Sequence, residues 1–120
     1  MIKTVIFVEG QTELIVTREF LLKYFEYNNI EIVCLRLVTD SNTQRAEHDF
    51  PYSLASYHFQ IINVGNDKSV LSAIFKRKKY LVENNFSKII GLRDMYSKEY
   101  KELSQIIEEN LNNRFIKETN

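Results

Sequence analysis

One cysteine, one proline and three glycines in 120 residues leave few of the usual signatures of chemistry. A lone cysteine excludes an intrachain disulfide. Cys34 lies in an apolar stretch, which predicts a buried, inert thiol and fits a reducing, cytoplasmic setting. No Gly-x-Gly-x-x-Gly or Walker-type run follows any strand-like segment, which argues against a nucleotide cofactor. No apolar run approaches the roughly 20 residues that span a bilayer, so no membrane partner is expected, and the N-terminal residues show no signal-peptide pattern. Sixteen basic and sixteen acidic side chains cancel. Bulk charge therefore points to no partner, and any electrostatic steering has to come from local patches. Glu47, His48, Asp49 and His58 offer nitrogen and oxygen donors but no zinc-like spacing and no cysteine beside them.

What is present is a globular composition, 44% hydrophobic and 12% aromatic, in a chain long enough for one domain with one modest core. Its organising stretch is Ile2 to Leu14. A β-branched and aromatic run, Val5-Ile6-Phe7-Val8, stops abruptly at Glu9-Gly10, and Thr12-Glu13 opens a long amphipathic segment. That pattern predicts a buried strand, a tight turn and a helix start, with a carboxylate at the carboxyl end of the strand. Open α/β sheets bind ligands along that edge. A charge placed there is costly unless it is solvated, paired or bound to a metal.

Taken in order, the spacing of Leu14, Ile15, Leu21, Leu22 and Phe25 predicts a helix from Thr12 to about Tyr27, capped by Thr12 and stopped at Asn28-Asn29. Ile30 to Val38 reads as a second strand. Thr39 to Ser56 is a long polar connection holding Pro51, with three options: a functional loop, a disordered insert or a short helix. Tyr57 to Val64 reads as a third strand, followed by a Gly65-Asn66-Asp67 turn. A helix comes next, with Val70, Leu71, Ile74, Phe75, Leu81 and Val82 on one side, ending at Asn84-Asn85. Lys88 to Leu92 reads as a fourth strand. Ser97 then caps a last helix carrying Tyr100, Leu103, Ile107 and Leu111. Alternating strands and helices imply a single three-layer α/β domain, with a mostly parallel sheet of about four strands flanked by helices in a Rossmann-like manner.

In such a sheet Glu9 and Asp94, each just past a strand, share one edge. Glu13 and Glu99 add carboxylates in the first turns of helices, where they either join the site or simply complement the helix dipole. A cluster of oxygen donors suits a hard cation such as Mg²⁺. Lys68 and Arg93 are placed to hold a phosphate; for Arg93 the rival reading is an ion pair with Asp94 or Glu9. Lys76-Arg77-Lys78-Lys79 is a basic run, but consecutive helical positions point in different directions, and a solvated face is the simpler reading.

The segment Val5-Ile6-Phe7-Val8-Glu9-Gly10-Gln11-Thr12-Glu13 resembles the opening motif of TOPRIM domains, the metal-dependent catalytic modules of topoisomerases, bacterial primases and OLD-family nucleases. It is most similar to small TOPRIM-like proteins of bacterial defence and mobile-element loci. Ile61 to Lys68 resembles the family's second glycine turn, with Gly65 in the place of Gly10 in the first. Ile89 to Tyr96 falls where the family carries Asp-x-Asp. The resemblance covers roughly residues 2 to 113. It implies Glu9 as general acid/base and Asp94 as a ligand of Mg²⁺ or Mn²⁺, in phosphodiester chemistry on DNA or RNA. Tyr96 stands where the second aspartate would be, so Glu13 or Glu99 would have to complete the metal site. The family core continues into a further strand and helix, which points to a minimal form completed by a protein partner or a second copy. Two expectations follow: a metal-dependent nuclease or nuclease subunit of a defence system, or a catalytically degenerate module of the same fold that binds nucleic acid or protein.

Overall fold

A computed structural model of the chain describes residues 1–39, 42–66 and 69–93. The described elements are β1 (Ile2–Val8), α1 (Gln11–Tyr24), β2 (Ile30–Leu37), β3 (Thr43–Arg45), β4 (Tyr57–Asn63), α2 (Ser69–Glu83) and β5 (Phe86–Gly91). The five strands form one sheet in the order β3-β2-β4-β1-β5. β2, β4, β1 and β5 run parallel, and β3 pairs antiparallel with β2 at the edge. The last predicted helix, with Ser97, Tyr100, Leu103, Ile107 and Leu111, lies outside the described residues.

β1 is an inner strand, between β4 and β5, and almost wholly apolar because both of its sides are covered. Its alternation sends Val5 and Phe7 into a cluster with Val70, Ala73, Ile74 and Leu81 of α2. Ile6 and Val8 join Leu14, Leu21 and Leu22 of α1. α1 packs over β4 and β2, whereas α2 packs over β5 and β1. Among the described residues, no helix is long and apolar enough to cross a membrane.

The structure corrects several expectations. The sheet has five strands rather than about four, because the long connection after β2 contributes a short edge strand. Three of its residues pair with β2: Leu37 with Thr43, Arg36 with Gln44 and Leu35 with Arg45. The chain then folds back so that Phe50 exchanges backbone hydrogen bonds with Ile32, at 2.9 Å each way, and Asp49 Oδ1 accepts from the Cys34 amide at 2.7 Å. The connection therefore covers an edge that would otherwise expose unpaired backbone groups.

α1 begins at Gln11 with Gly10 at the N-cap, and no side chain caps it, so Thr12 sits inside the first turn. The helix ends three residues earlier than the sequence suggests. Glu26, at φ 55°, donates its amide to Lys23, and Tyr27 donates to Leu22, the paired bonds of a Schellman stop. α2 turns Ala73 and Arg77 inward with Val70, Ile74 and Leu81, while Phe75 and Val82 face outward, each 43% exposed. Ile15 of α1 likewise lies at the surface.

Candidate functional site

The carboxyl edge of the parallel strands is built around the end of β1. Two hydrogen bonds continue the sheet past that strand: Val64 donates to Val8 at 2.9 Å, and Leu92 donates to Phe7 at 2.8 Å. Glu9 therefore emerges between the chain leaving β4 and the chain leaving β5. It is 8% exposed, a buried carboxylate at the mouth of an apolar strand. Phe7 pairs with Gly91 in the β1–β5 register, so two residues further along each strand come Glu9 and Arg93. Arg93 is half-buried, and its Nε has no hydrogen-bond partner among the described residues.

The turn after β1 is shaped by Gly10. Its φ of −161° is ordinary extended backbone, so glycine is not needed there for conformation. Its role is space: a Cβ at this position would come within 3.1 Å of Glu13 Oε2. The Glu13 carboxylate thus folds back against the turn that carries Glu9. It also sits in the first turn of α1, whose leading N–H groups have no intrahelical acceptor and favour negative charge nearby.

On the other side of Glu9, Asn63 ends β4 in register with Val8 and is buried. Its Oδ1 accepts from the Gly65 amide at 2.9 Å, and this Asx turn leads into Gly65 at φ 90°. Here glycine answers a conformational need, the left-handed backbone that a Cβ disfavours. Asn66 Oδ1 then accepts from the Ser69 amide at 3.0 Å and caps α2.

The edge thus brings together Glu9, Gly10, Glu13, Gly65 and Arg93 of the residues singled out in the sequence. Asp94, Glu99, Lys68 and Tyr96 lie outside the described residues. Among the described residues no three His, Cys, Asp or Glu side chains converge as a metal site. Asn63 and Gly91 were not foreseen. Asn63 is visible in hindsight as the one polar residue between Ile61-Ile62 and Val64. Gly91 left no local sign, because its need arises from α2: a Cβ there would come within 2.9 Å of Ile74 Cδ1 and 3.0 Å of Val70 Cγ1.

The secondary candidates resolve as structure. His58 and Glu31 sit opposite each other on β4 and β2 and form an ion-pair contact through Nδ1 and Oε1. Tyr57 packs on Phe25 at 5.1 Å between ring centroids, and the Tyr52 hydroxyl donates to Asn28 Oδ1. The basic run on α2 splits: Lys76 and Lys79 are exposed, whereas Arg77 is 8% exposed with its guanidinium 5.5 Å from the Tyr80 ring centroid. Burial pulls the Arg77 guanidinium down from its ordinary value. Cys34 is fully buried, and burial first, then the neighbouring Asp49 charge, push its thiol up to about 11. That makes it unreactive at neutral pH.

No family model, curated protein or solved structure matches this chain. The functional reading therefore rests on the residues and on the edge just described.

Proposed function

We propose that the chain is a TOPRIM-like domain, with helices on both faces of its sheet, that carries out Mg²⁺- or Mn²⁺-dependent phosphodiester chemistry on nucleic acid, as a nuclease or nuclease subunit. The observation that carries this reading is Glu9, a buried carboxylate at the carboxyl end of an inner parallel strand, with Glu13 folded back onto the same turn. Buried carboxylates cost several kcal/mol unless charge or hydrogen bonding offsets them, and they persist where chemistry uses them.

The proposed donors, all carboxylate oxygens rather than nitrogen or sulfur ligands, fit a hard divalent cation. Glu13 and Asp94, helped by Glu99, would hold the metal. Bound there, the cation would neutralise charge developing on a phosphoryl group. Glu9 exchanges a proton with the attacking or leaving oxygen. Arg93, alongside it in the register, and Lys68 hold a non-bridging phosphate oxygen through charge-assisted hydrogen bonds.

The test is calorimetric titration of Mg²⁺ and Mn²⁺ into the wild type, Glu9→Gln and Asp94→Asn, followed by cleavage assays on DNA and RNA with the same proteins. Saturable binding in the wild type, lost in both variants, and metal-dependent cleavage lost with Glu9→Gln are the expected results. Binding without cleavage would favour a degenerate site in an interaction module. No binding would overturn the metal reading.

A further inference from the structure

The outward side of α1 lacks the polar character of a solvated helix face. Val16, Phe20 and Tyr24 recur every four residues on the side opposite Leu14, Leu21 and Leu22, and they are 62%, 65% and 73% exposed. Tyr27, just past the helix end, is 50% exposed. The Phe20 and Tyr24 rings stack with centroids 6.2 Å apart and planes 24° from parallel. Single exposed apolar residues are ordinary, but a contiguous aromatic stripe over more than two turns marks an interaction surface.

We propose that this face binds a second copy of the same chain, with the two α1 helices antiparallel about a two-fold axis near Leu21. Three properties of the face argue for that occupant. The first is geometric. In this register Phe20 of one copy falls between Phe20 and Tyr24 of the other, so the stripe interdigitates with itself, as an isologous interface requires.

The second property is charge. Glu19 and Lys23 lie one helical turn apart on the same flank of the stripe. An antiparallel pair sets Glu19 of each copy opposite Lys23 of the other, twice per dimer. A parallel pair would bring this flank against the opposite flank of the partner and lose both of these pairings. Glu19 already contacts Arg18 Nη1 at 2.8 Å, yet its side chain is 44% exposed and remains open to a second cation.

The third property is area. With aromatic side chains burying 150–250 Å² each, the four exposed residues offer roughly 450 Å² per copy. That gives roughly 900 Å² per dimer before flanking residues, below the roughly 1,200 Å² where stable specific interfaces begin and within the range of weak, transient association. The dimer is therefore weak and concentration-dependent. The surface lies on the helix flank and does not depend on the reading of Glu9.

Sedimentation of the full chain across a concentration series tests this. The expected result is a mass rising from 14.3 kDa toward twice that value. Phe20→Glu should weaken the dimer by about tenfold or more, with the circular dichroism and melting temperature of the wild type, since the ring is mostly exposed. Tyr24→Arg serves as a second variant if Phe20→Glu disturbs folding. Glu19→Lys and Lys23→Glu should each weaken association, and the two in one chain should restore it. A wild type that stays monomeric throughout would overturn the proposal and hand the face to another protein or to residues 94–120. A dimer unaffected by either stripe variant would place association on a different surface. A dimer unaffected by the charge reversals would overturn the antiparallel register.

Discussion

The two ends of the same parallel strands handle charge in opposite ways. At the amino end, charged groups are matched locally. Glu31 faces His58 across the β2–β4 pair, and Lys3 Nζ donates to the Asn84 carbonyl at 2.8 Å while lying 4.5 Å from the Phe86 ring centroid. Ser87 Oγ closes the row on the Lys3 carbonyl at 3.2 Å. At the carboxyl end, polar side chains sit at buried positions around glycine turns: Glu9, Asn63 and the half-buried Arg93. The lesson is that charge alone does not mark a site. The amino end meets its charged groups with local partners: a carbonyl and a ring for Lys3, and His58 for Glu31. The carboxyl end places a carboxylate where folding alone would favour an apolar side chain.

The sharpest way to break that comparison is to neutralise one carboxylate at each end. Glu9→Gln should abolish saturable Mn²⁺ binding, whereas Glu31→Gln should leave it unchanged, as read by calorimetry on both variants. Equal losses would mean that the two ends are not chemically distinct. The next effect is on stability. Gly91→Ala drives a methyl into Ile74 and Val70 beneath α2, and should cost about 1–3 kcal/mol in urea denaturation. Gly65→Ala meets open space and suffers only from its φ of 90°, about 1 kcal/mol. Gly10→Ala should be milder still for folding, since its backbone is extended and only the Glu13 side chain must swing away. Its effect should instead appear in metal affinity. That separation of stability from binding would sharpen the assignment of the carboxyl edge.

Cys34 gives a pH-dependent contrast. The folded protein holds the thiol protonated up to about 11, whereas the unfolded chain ionises near 9. The stability this group contributes is complete below pH 9. Above 9 the unfolded state sheds a proton that the folded state keeps, and stability falls by about 1.4 kcal/mol per pH unit until pH 11. The difference between the wild-type and Cys34→Val stability profiles isolates this contribution from the other titrating groups. A difference that stays flat from pH 8 to 11 would show that the thiol is not buried.

How much of this was legible in the sequence depends on what fixes each feature. β1, its abrupt stop at Glu9 and the helix behind Gly10 are local signals, and the residues carried them. So did the Gly65-Asn66 turn. The stop of α1 was not legible, because glycine usually marks a left-handed C′ position and here Glu26 occupies it. α2 was misread for a geometric reason: counting large apolar residues on one side missed that Ala73 lets the helix approach the sheet. Arg77 fills the same inward stripe by burying its stem. β3 exists only because β2 offers an edge, so no local pattern of Thr43-Gln44-Arg45 could announce it. That Glu9 and Arg93 leave neighbouring strands at one edge follows from sheet register, which sequence order suggests only once the strands are known to be parallel.

The smallest expected effect concerns the amino end itself. Glu31 and His58 are partly open to solvent, with side chains 30% and 12% exposed. Pairs of this kind contribute about 0.2–1 kcal/mol when both partners are charged. A double-mutant cycle with Glu31→Gln and His58→Gln should therefore return a coupling of that size. A coupling of several kcal/mol would mean that the amino end also stores buried charge, and the contrast between the two ends of the sheet would disappear. A small coupling would keep the amino end a place of weak, partly solvated pairing, in contrast to the buried position of Glu9 at the carboxyl end.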